Sequence, residues 1–122
     1  QRSKIDVELA DKTGDEEYLH ALDSVLPRVL EFGPEIVFSL SGVDALASDV
    51  LGRLALTQEG LKVRDERVIG ACFRHKLPLV ITLGGGYSKP IELTAEAHAN
   101  TFRVAAQIFK PSGTGPPRFS SL

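Results

Sequence analysis

The chain has 122 residues, which suits a single domain, and 43% of them are hydrophobic while 25% are charged. Its 16 acidic and 14 basic residues give a formal net charge of −2, which argues against general nucleic-acid affinity because a basic surface is missing. The lone Cys72 excludes an intrachain disulfide framework and indicates a reducing compartment. No apolar run approaches the roughly 20 residues of a membrane span. We therefore expect neither a membrane nor a direct nucleic-acid partner.

The first third of the sequence predicts a strand followed by a helix. Apolar residues occupy every second position of Lys4–Ala10, which is the period of a half-buried strand. Thr13 and Glu16 fit a capping box, and leucines and valines then recur at helical spacing. Pro27 lacks a backbone donor and should kink or split this helix.

Two apolar strands and two further helices are predicted beyond Pro34. Ile36–Leu40 is almost continuously apolar, which favours a strand covered on both faces, and Leu79–Leu83 is a second short apolar strand. Thr57 is the predicted N-cap of a helix that runs to about His75, and another helix follows Pro90. The residues predicted to face the core in the first of these helices are Leu61, Val68, Ile69, Cys72 and Phe73. The stripe that gives the second its helical pattern is Ala95, Ala99, Phe102, Ala106 and Phe109. The charges of "KVRDERV" are predicted to form a solvated helix face.

This alternation of strands and helices predicts a layered α/β fold with a parallel sheet. Residues 1–110 make up the predicted domain. Residues 111–122 have the glycine, proline and serine content of a loose, disordered tail.

Two side chains with useful chemistry follow the ends of the predicted strands. Ligands of open α/β sheets sit beyond the carboxyl ends of the strands, and Asp44 and Tyr87 both lie there. If the strands are neighbours, both side chains open onto one crevice, where Asp44 could hold a cation or a substrate amine. Equally, Asp44 could be a turn residue and Tyr87 a partly buried aromatic.

The neighbouring loop residues also allow more than one interpretation. Asp49 could cap the loop, pair with Arg53, or orient the loop through backbone amides. Gly85 and Gly86 belong to a glycine run that could be a tight turn or could let the backbone approach a ligand closely. The run does not match the phosphate-binding loop pattern.

Four segments taken in order resemble the histone deacetylase superfamily, in its bacterial and class IV-like form. They are "TGDEEYL", "SGVDALASDVLGRLALTQEGL", "RDERVI" and "PLVITLGGGY". The resemblance extends from about Ile5 to Phe109 and corresponds to the C-terminal third of a complete family domain. It implies a three-layer α/β/α fold with a parallel sheet, of the arginase/deacetylase type, as a partial domain.

The resemblance also implies a zinc-dependent hydrolysis of acylated lysine or another acylated amine. By this likeness Asp44, in the Gly-x-Asp segment, is one of three zinc ligands, and Tyr87 stabilises the oxyanion of the substrate carbonyl. Gly85 and Gly86 border the substrate channel, and Asp49 resembles a loop-ordering residue. A cytoplasmic location fits this family, or the nucleus in a eukaryote.

The family's tandem histidines and its Asp-x-His zinc ligands have no match in residues 1–34. The chain also contains no methionine, and we expect it to be a piece of a longer protein. We therefore expect the 122 residues alone to be inactive and to need the N-terminal part of the domain as a partner. The alternative is a truncated, non-catalytic α/β module that acts by binding.

Overall fold

The structure is a computed structural model that describes residues 4–110 of the chain. Its elements are α1 (Asp15–Glu31), β1 (Val37–Gly42), α2 (Gln58–Arg74), β2 (Leu79–Gly84) and α3 (Glu92–Ile108). The two strands pair in parallel, with Val37 opposite Leu79 and Gly42 opposite Gly84, which confirms the predicted α/β fold class. Within residues 4–110, no helix is long and apolar enough to cross a membrane. The predicted tail, residues 111–122, lies outside the described residues.

The predicted strand at Lys4–Ala10 is wrong. This segment has no strand geometry and instead runs beside α1, where Val7 and Leu9 line a hollow together with Tyr18 and Leu22. Apolar alternation provides one buried face, but a strand also needs a hydrogen-bonded neighbour, and the described sheet contains only β1 and β2. The alternating side chains therefore pack on a helix.

The start of α1 also differs from the prediction. Gly14 is the N-cap without a side-chain cap, so the predicted capping box is wrong. The hydroxyl of Thr13 donates instead to the carbonyl oxygen of Ala10, at 2.6 Å. Pro27 lies inside α1 and does not split it. Pro27 and Asp23 are exposed, so the Asp23 carbonyl that loses its helical partner can bind water.

The prediction that the first strand is covered on both faces is wrong for the described residues. α2 packs against β1 and also against α1 and α3, so the helices leave one face of the sheet uncovered. On that face Phe38 is 64% exposed and Leu40 is 82% exposed, whereas Ser41, next in the strand, is buried. The sheet thus presents an apolar face within residues 4–110.

α2 begins where the sequence predicts. Thr57 is its N-cap, and the Thr57 side chain accepts a hydrogen bond from the backbone N–H of Gly60 at 2.9 Å. The carboxylate of Asp15, in the first turn of α1, accepts from the backbone N–H of Thr57 at 2.8 Å. These bonds join the first turns of the two helices. Of the predicted core positions, Leu61, Ile69 and Cys72 are buried, Val68 is half-buried and Phe73 is exposed.

The charged face predicted for α2 is partly buried instead of solvated. Arg64 is only 8% exposed and Asp65 only 5%, and they form an ion pair of 3.0 Å. The Arg64 guanidinium also donates to the hydroxyl of Ser41 at 3.0 Å, and the hydroxyl of Thr101 donates to Asp65 at 2.5 Å. Buried charges are tolerated when they are paired and hydrogen-bonded, so this network links β1, α2 and α3.

α3 buries a different stripe from the one predicted. The buried side chains are Thr94, Ala97, Thr101 and Val104. Of the predicted stripe, Ala99 is half-buried, and Ala95, Phe102, Ala106 and Phe109 are exposed. The buried stripe includes two threonines, and both have hydrogen-bond partners. Thr101 bonds to Asp65, and the Thr94 hydroxyl accepts from the backbone N–H of Ser88.

The cap of α2 provides a stability prediction. Thr57→Ala removes the side-chain acceptor of the Gly60 N–H, so we expect the free energy of unfolding to fall by about 1 kcal/mol. Urea denaturation followed by circular dichroism measures this change. Thr57→Ser is the matched control, because serine keeps the hydroxyl and should retain most of the stability. Equal losses in the two variants would contradict the capping role.

Candidate functional site

Asp44 lies at the edge of the sheet where the carboxyl ends of β1 and β2 meet. A methyl group placed on Gly85 would lie 3.2 Å from the Asp44 Cβ, and one on Gly42 would lie 3.0 Å from the Asp44 Oδ1. Gly85 also has a φ of +65°, which favours glycine. The structure therefore brings the exposed Asp44 carboxylate against the glycine run that follows β2.

The next glycine is needed because the chain passes through a tight space. Gly86 has a φ of +108°, and a methyl group there would overlap with the side chain of Thr94 and press on that of Val43. Gly52 is equally confined, because a methyl group there would overlap with the carbonyl oxygen of Asp44. The loops after β1 and β2 thus pack directly on each other and on α3.

The carboxylate of Asp49 joins these two loops. Its Oδ1 accepts from the backbone N–H groups of Leu51 at 2.9 Å and Gly52 at 2.8 Å. Its Oδ2 accepts from the backbone N–H of Tyr87 in the other loop, at 2.6 Å. Asp49 does not pair with Arg53, which forms an exposed ion pair with Asp11 at 2.9 Å instead. Asp49 therefore accepts from three backbone N–H groups that belong to two loops.

The surroundings of Asp49 favour its charged form. Asp49 is only 7% exposed, and burial by itself raises the pKa of a carboxyl group. The backbone N–H groups of Tyr87, Leu51 and Gly52 act in the opposite direction and hold the pKa of Asp49 below its ordinary value of 3.8. The hydrogen bonds from the two loops therefore favour an ionised Asp49.

The backbone of Tyr87 is fixed while its side chain is left exposed. In addition to the bond to Asp49, its carbonyl oxygen accepts from the backbone N–H of Val50 at 3.1 Å. The Tyr87 residue is 58% exposed. The hydroxyl of Ser48 donates to that of Ser88 at 2.8 Å, a link that no sequence pattern indicated, since the two serines lie 40 residues apart. Tyr87 is thus held by its main chain next to the loop that carries Asp44.

The described residues provide part of a metal-binding site at most. Within residues 4–110, no group of three or more His, Cys, Asp or Glu side chains could hold a metal ion. The exposed carboxylate of Asp44 has the donor chemistry of a zinc ligand, and catalytic zinc sites use three protein ligands. Asp44 therefore fits as one ligand, and the other two would have to come from outside this part of the chain.

Comparison with known proteins gives a consistent set of relatives. The family model of the histone deacetylase domain matches residues 1–104. An uncharacterized protein of Picosynechococcus sp. is 34% identical over 113 residues, and histone deacetylase 2 of Arabidopsis thaliana is 38% identical over 84 residues. Among solved structures, the HDA15 HD domain has a TM-score of 0.67 and 27% sequence identity. The match covers 80% of this chain and 26% of the HDA15 chain.

The chain belongs to the histone deacetylase family, as its sequence motifs indicated. The matches cover 89% of this chain for the Picosynechococcus protein and 68% for the Arabidopsis protein. The chain spans only 37% of the first relative and 22% of the second. The fold described above is therefore that of a deacetylase-family α/β domain, matched over part of its length.

The ionised Asp49 makes a pH-dependent contribution to stability. Its folded pKa is lowered, so the contribution is complete above the unfolded pKa and is lost as the pH falls through the folded value. At pH 7 we expect Asp49→Asn to lower the free energy of unfolding by about 1–3 kcal/mol, because an amide cannot accept all three bonds. The difference from wild type should shrink below about pH 4.

Urea denaturation at a series of pH values measures this difference. The matched control is Asp6→Asn, which changes an exposed aspartate outside the two loops and should alter stability little at pH 7. A difference for Asp49→Asn that stays constant from pH 7 to pH 3 would contradict the role of the charged carboxylate.

Proposed function

We propose that this chain supplies the C-terminal part of the catalytic domain of a zinc-dependent hydrolase that cleaves N-acyl amides. The main support is the exposed Asp44 carboxylate at the common carboxyl edge of two parallel strands. Through Asp49, the loop of Asp44 is bonded to the backbone of Tyr87. Membership of the histone deacetylase family provides the reaction class.

Asp44 would be the zinc ligand that this chain contributes. Its carboxylate is exposed, and its contacts with Gly42 and Gly85 limit where the side chain can lie. A carboxylate so placed can bind a metal without first giving up a buried partner. When bound, zinc would supply Lewis acidity and lower the pKa of a water molecule towards about 7.

Tyr87 would stabilise the negative charge that develops on the substrate oxygen. Its hydroxyl can donate a hydrogen bond to the carbonyl oxygen of an acyl amide, and that bond strengthens as the oxygen becomes an oxyanion. Such a donor is effective only if it is oriented in advance. The bonds of the Tyr87 backbone to Asp49 and Val50 support this orientation, so Asp49 would be a positioning residue that does not touch substrate.

The proposed substrate is an acylated lysine or another acylated amine. The name of the Arabidopsis relative, histone deacetylase 2, supports hydrolysis of an acetylated amine. Gly85 and Gly86 have no side chains, so the backbone after β2 could lie close to an extended acyl-lysine chain. The choice among acylated amines would depend on residues that lie beyond this pair of loops.

The uncovered face of the sheet supports a partner for this chain. Strands of parallel sheets are normally buried on both faces, whereas Phe38 and Leu40 are largely exposed. We infer that the remaining part of a deacetylase domain covers this face and supplies the other zinc ligands. The short span of the match, 37% of the Picosynechococcus relative, supports this partner.

A non-catalytic binding module is the second candidate. It is favoured by one observation, that residues 4–110 do not contain a complete set of metal ligands. In that case Asp44 and Tyr87 would bind an amine or a partner chain without hydrolysis.

A chimera separates these two functions. Residues 4–110 of this chain would replace their matched segment in the Picosynechococcus protein. We expect the chimera to bind one zinc ion and to cleave an acetyl-lysine peptide. Asp44→Asn should abolish stoichiometric zinc, whereas Tyr87→Phe should keep zinc and lower kcat by about a hundredfold or more. Zinc is measured by mass spectrometry and cleavage by release of acetate.

The controls for the chimera are the parent relative and the isolated chain. The 122-residue chain with added zinc should show no turnover, because residues 4–110 hold no group of three side chains that could bind a metal ion. Robust turnover by the isolated chain that Tyr87→Phe abolishes would overturn this expectation. A chimera whose zinc content and activity are unaffected by Asp44→Asn would leave the binding function as the better account.

The apolar face can be tested by its effect on stability. Leu40 is already 82% exposed, so Leu40→Glu should change the free energy of unfolding of the 122-residue chain little. In the chimera the same substitution should lower the free energy of unfolding by about 2 kcal/mol or more, because position 40 becomes buried there. Phe32→Glu, at an exposed apolar residue off the sheet, is the matched control for urea denaturation. Equally small effects of Leu40→Glu in both proteins would contradict the proposed partner surface.

A further inference from the structure

One peptide group at the end of β1 is held by hydrogen bonds at both of its ends. The carbonyl oxygen of Gly42 accepts from the Nη1 of Arg64 at 2.6 Å. The N–H of Val43, in the same peptide group, donates to the carbonyl oxygen of Gly84 at 3.3 Å. Because a peptide group is planar, two bonds at opposite ends fix its orientation. The residue that follows Val43 is Asp44.

The guanidinium of Arg64 is itself held in a fixed orientation. Its Nε donates to Asp65 at 3.0 Å and its Nη2 donates to the hydroxyl of Ser41 at 3.0 Å. Asp65 also accepts from the hydroxyl of Thr101 on α3. All three nitrogens of Arg64 therefore have partners, which come from β1 and α2, and Thr101 of α3 holds Asp65 in turn.

Stability alone is a poor reason for this buried ion pair. Both residues are less than a tenth exposed, so their charges lose most of their hydration. Well-packed apolar residues of similar volume are often as stabilising as a buried ion pair, or more so. An apolar pair, however, could not donate a directed hydrogen bond to the Gly42 carbonyl. The feature that distinguishes Arg64 is thus its contact with the peptide group before Asp44.

We propose that Arg64, oriented by Asp65, is a positioning residue for the carboxylate of Asp44. It acts by fixing the Gly42–Val43 peptide group, and so the direction in which the chain leaves β1. The consequence for zinc rests on the proposed function of Asp44. The fixed orientation of the peptide group does not rest on the proposed function, and it can be measured in the 122-residue chain.

Amide hydrogen exchange of the full chain tests the proposal. Arg64→Met combined with Asp65→Leu removes the ion pair without leaving a buried charge unpaired. We expect the exchange protection of Val43 to fall about tenfold or more beyond any fall at Ile69, which reports on the buried core of α2. Equal falls at both amides would show a merely structural role and overturn the proposal.

The matched control uses the other ion-paired arginine of α2. Arg67 pairs with Asp23 at 2.7 Å on the exposed side, and Arg67→Met should leave the protection of Val43 unchanged. A loss at Val43 in this control as large as that in the double variant would overturn the proposal. If Ile69 is unprotected in the wild-type chain, the same comparison is made in the chimera.

Zinc affinity of the chimera tests the consequence for the site. The double variant should keep the folded circular dichroism spectrum and bind zinc about tenfold or more weakly, as expected when support of a metal ligand is lost. Unchanged zinc affinity in a chimera that needs Asp44 for zinc would overturn the positioning role. If Asp44→Asn has no effect on zinc, the proposed function fails, while the exchange result at Val43 still decides whether Arg64 orients the peptide group.

Discussion

The parallel, in-register pairing of β1 and β2 is the constraint on which the candidate site depends. Gly42 lies opposite Gly84, so both chains leave the sheet at the same edge and at the same level. Two loops that are distant in the sequence must then run side by side, and Asp44 comes to lie against Gly85. A shift of one residue in this register would exchange the faces of the strand and separate these groups.

Close packing of two loops creates a demand for hydrogen-bond acceptors. Backbone N–H groups that leave regular structure lose their sheet or helix partners and still need acceptors when buried. Asp49 meets this demand with one buried carboxylate that accepts from three N–H groups, two in its own loop and one at Tyr87. The same bonds that satisfy the backbone also fix the relative position of the loops, so the loops depend on one ionised side chain.

The parts of the fold that follow from local patterns could be predicted from the sequence. These are the two strands, their parallel order and the start of α2 at Thr57. The burial of Arg64 could not be predicted, because it depends on partners that are remote in the sequence. A weaker signal was present, since Leu61, Asp65 and Ile69 are spaced four residues apart and lie on one side of the helix. A charge on such a stripe indicates a buried polar contact.

The location of the site could be predicted from the sequence, but its hydrogen bonds could not. The proximity of Asp44 to the glycine run follows from parallel strand order, since the carboxyl ends of such strands share one edge. The three N–H partners of Asp49 depend on the path of each loop, which no spacing in the sequence specifies. Family resemblance, in contrast, is the source of the proposed roles of zinc ligand for Asp44 and oxyanion donor for Tyr87.

Exposure and hydrogen bonding divide the polar residues near the site into two groups. Asp49 and Arg64 are buried, and each has several partners, so they are poorly placed to meet a substrate. Asp44 and Tyr87 are exposed at their side chains while the backbone beside them is fixed. This arrangement favours ligand binding. The neighbours of such a group set its orientation, and its own lone pairs or hydroxyl stay available to the ligand. Preorganisation of this kind would distinguish the proposed zinc ligand and oxyanion donor from an aspartate and a tyrosine on an ordinary surface loop.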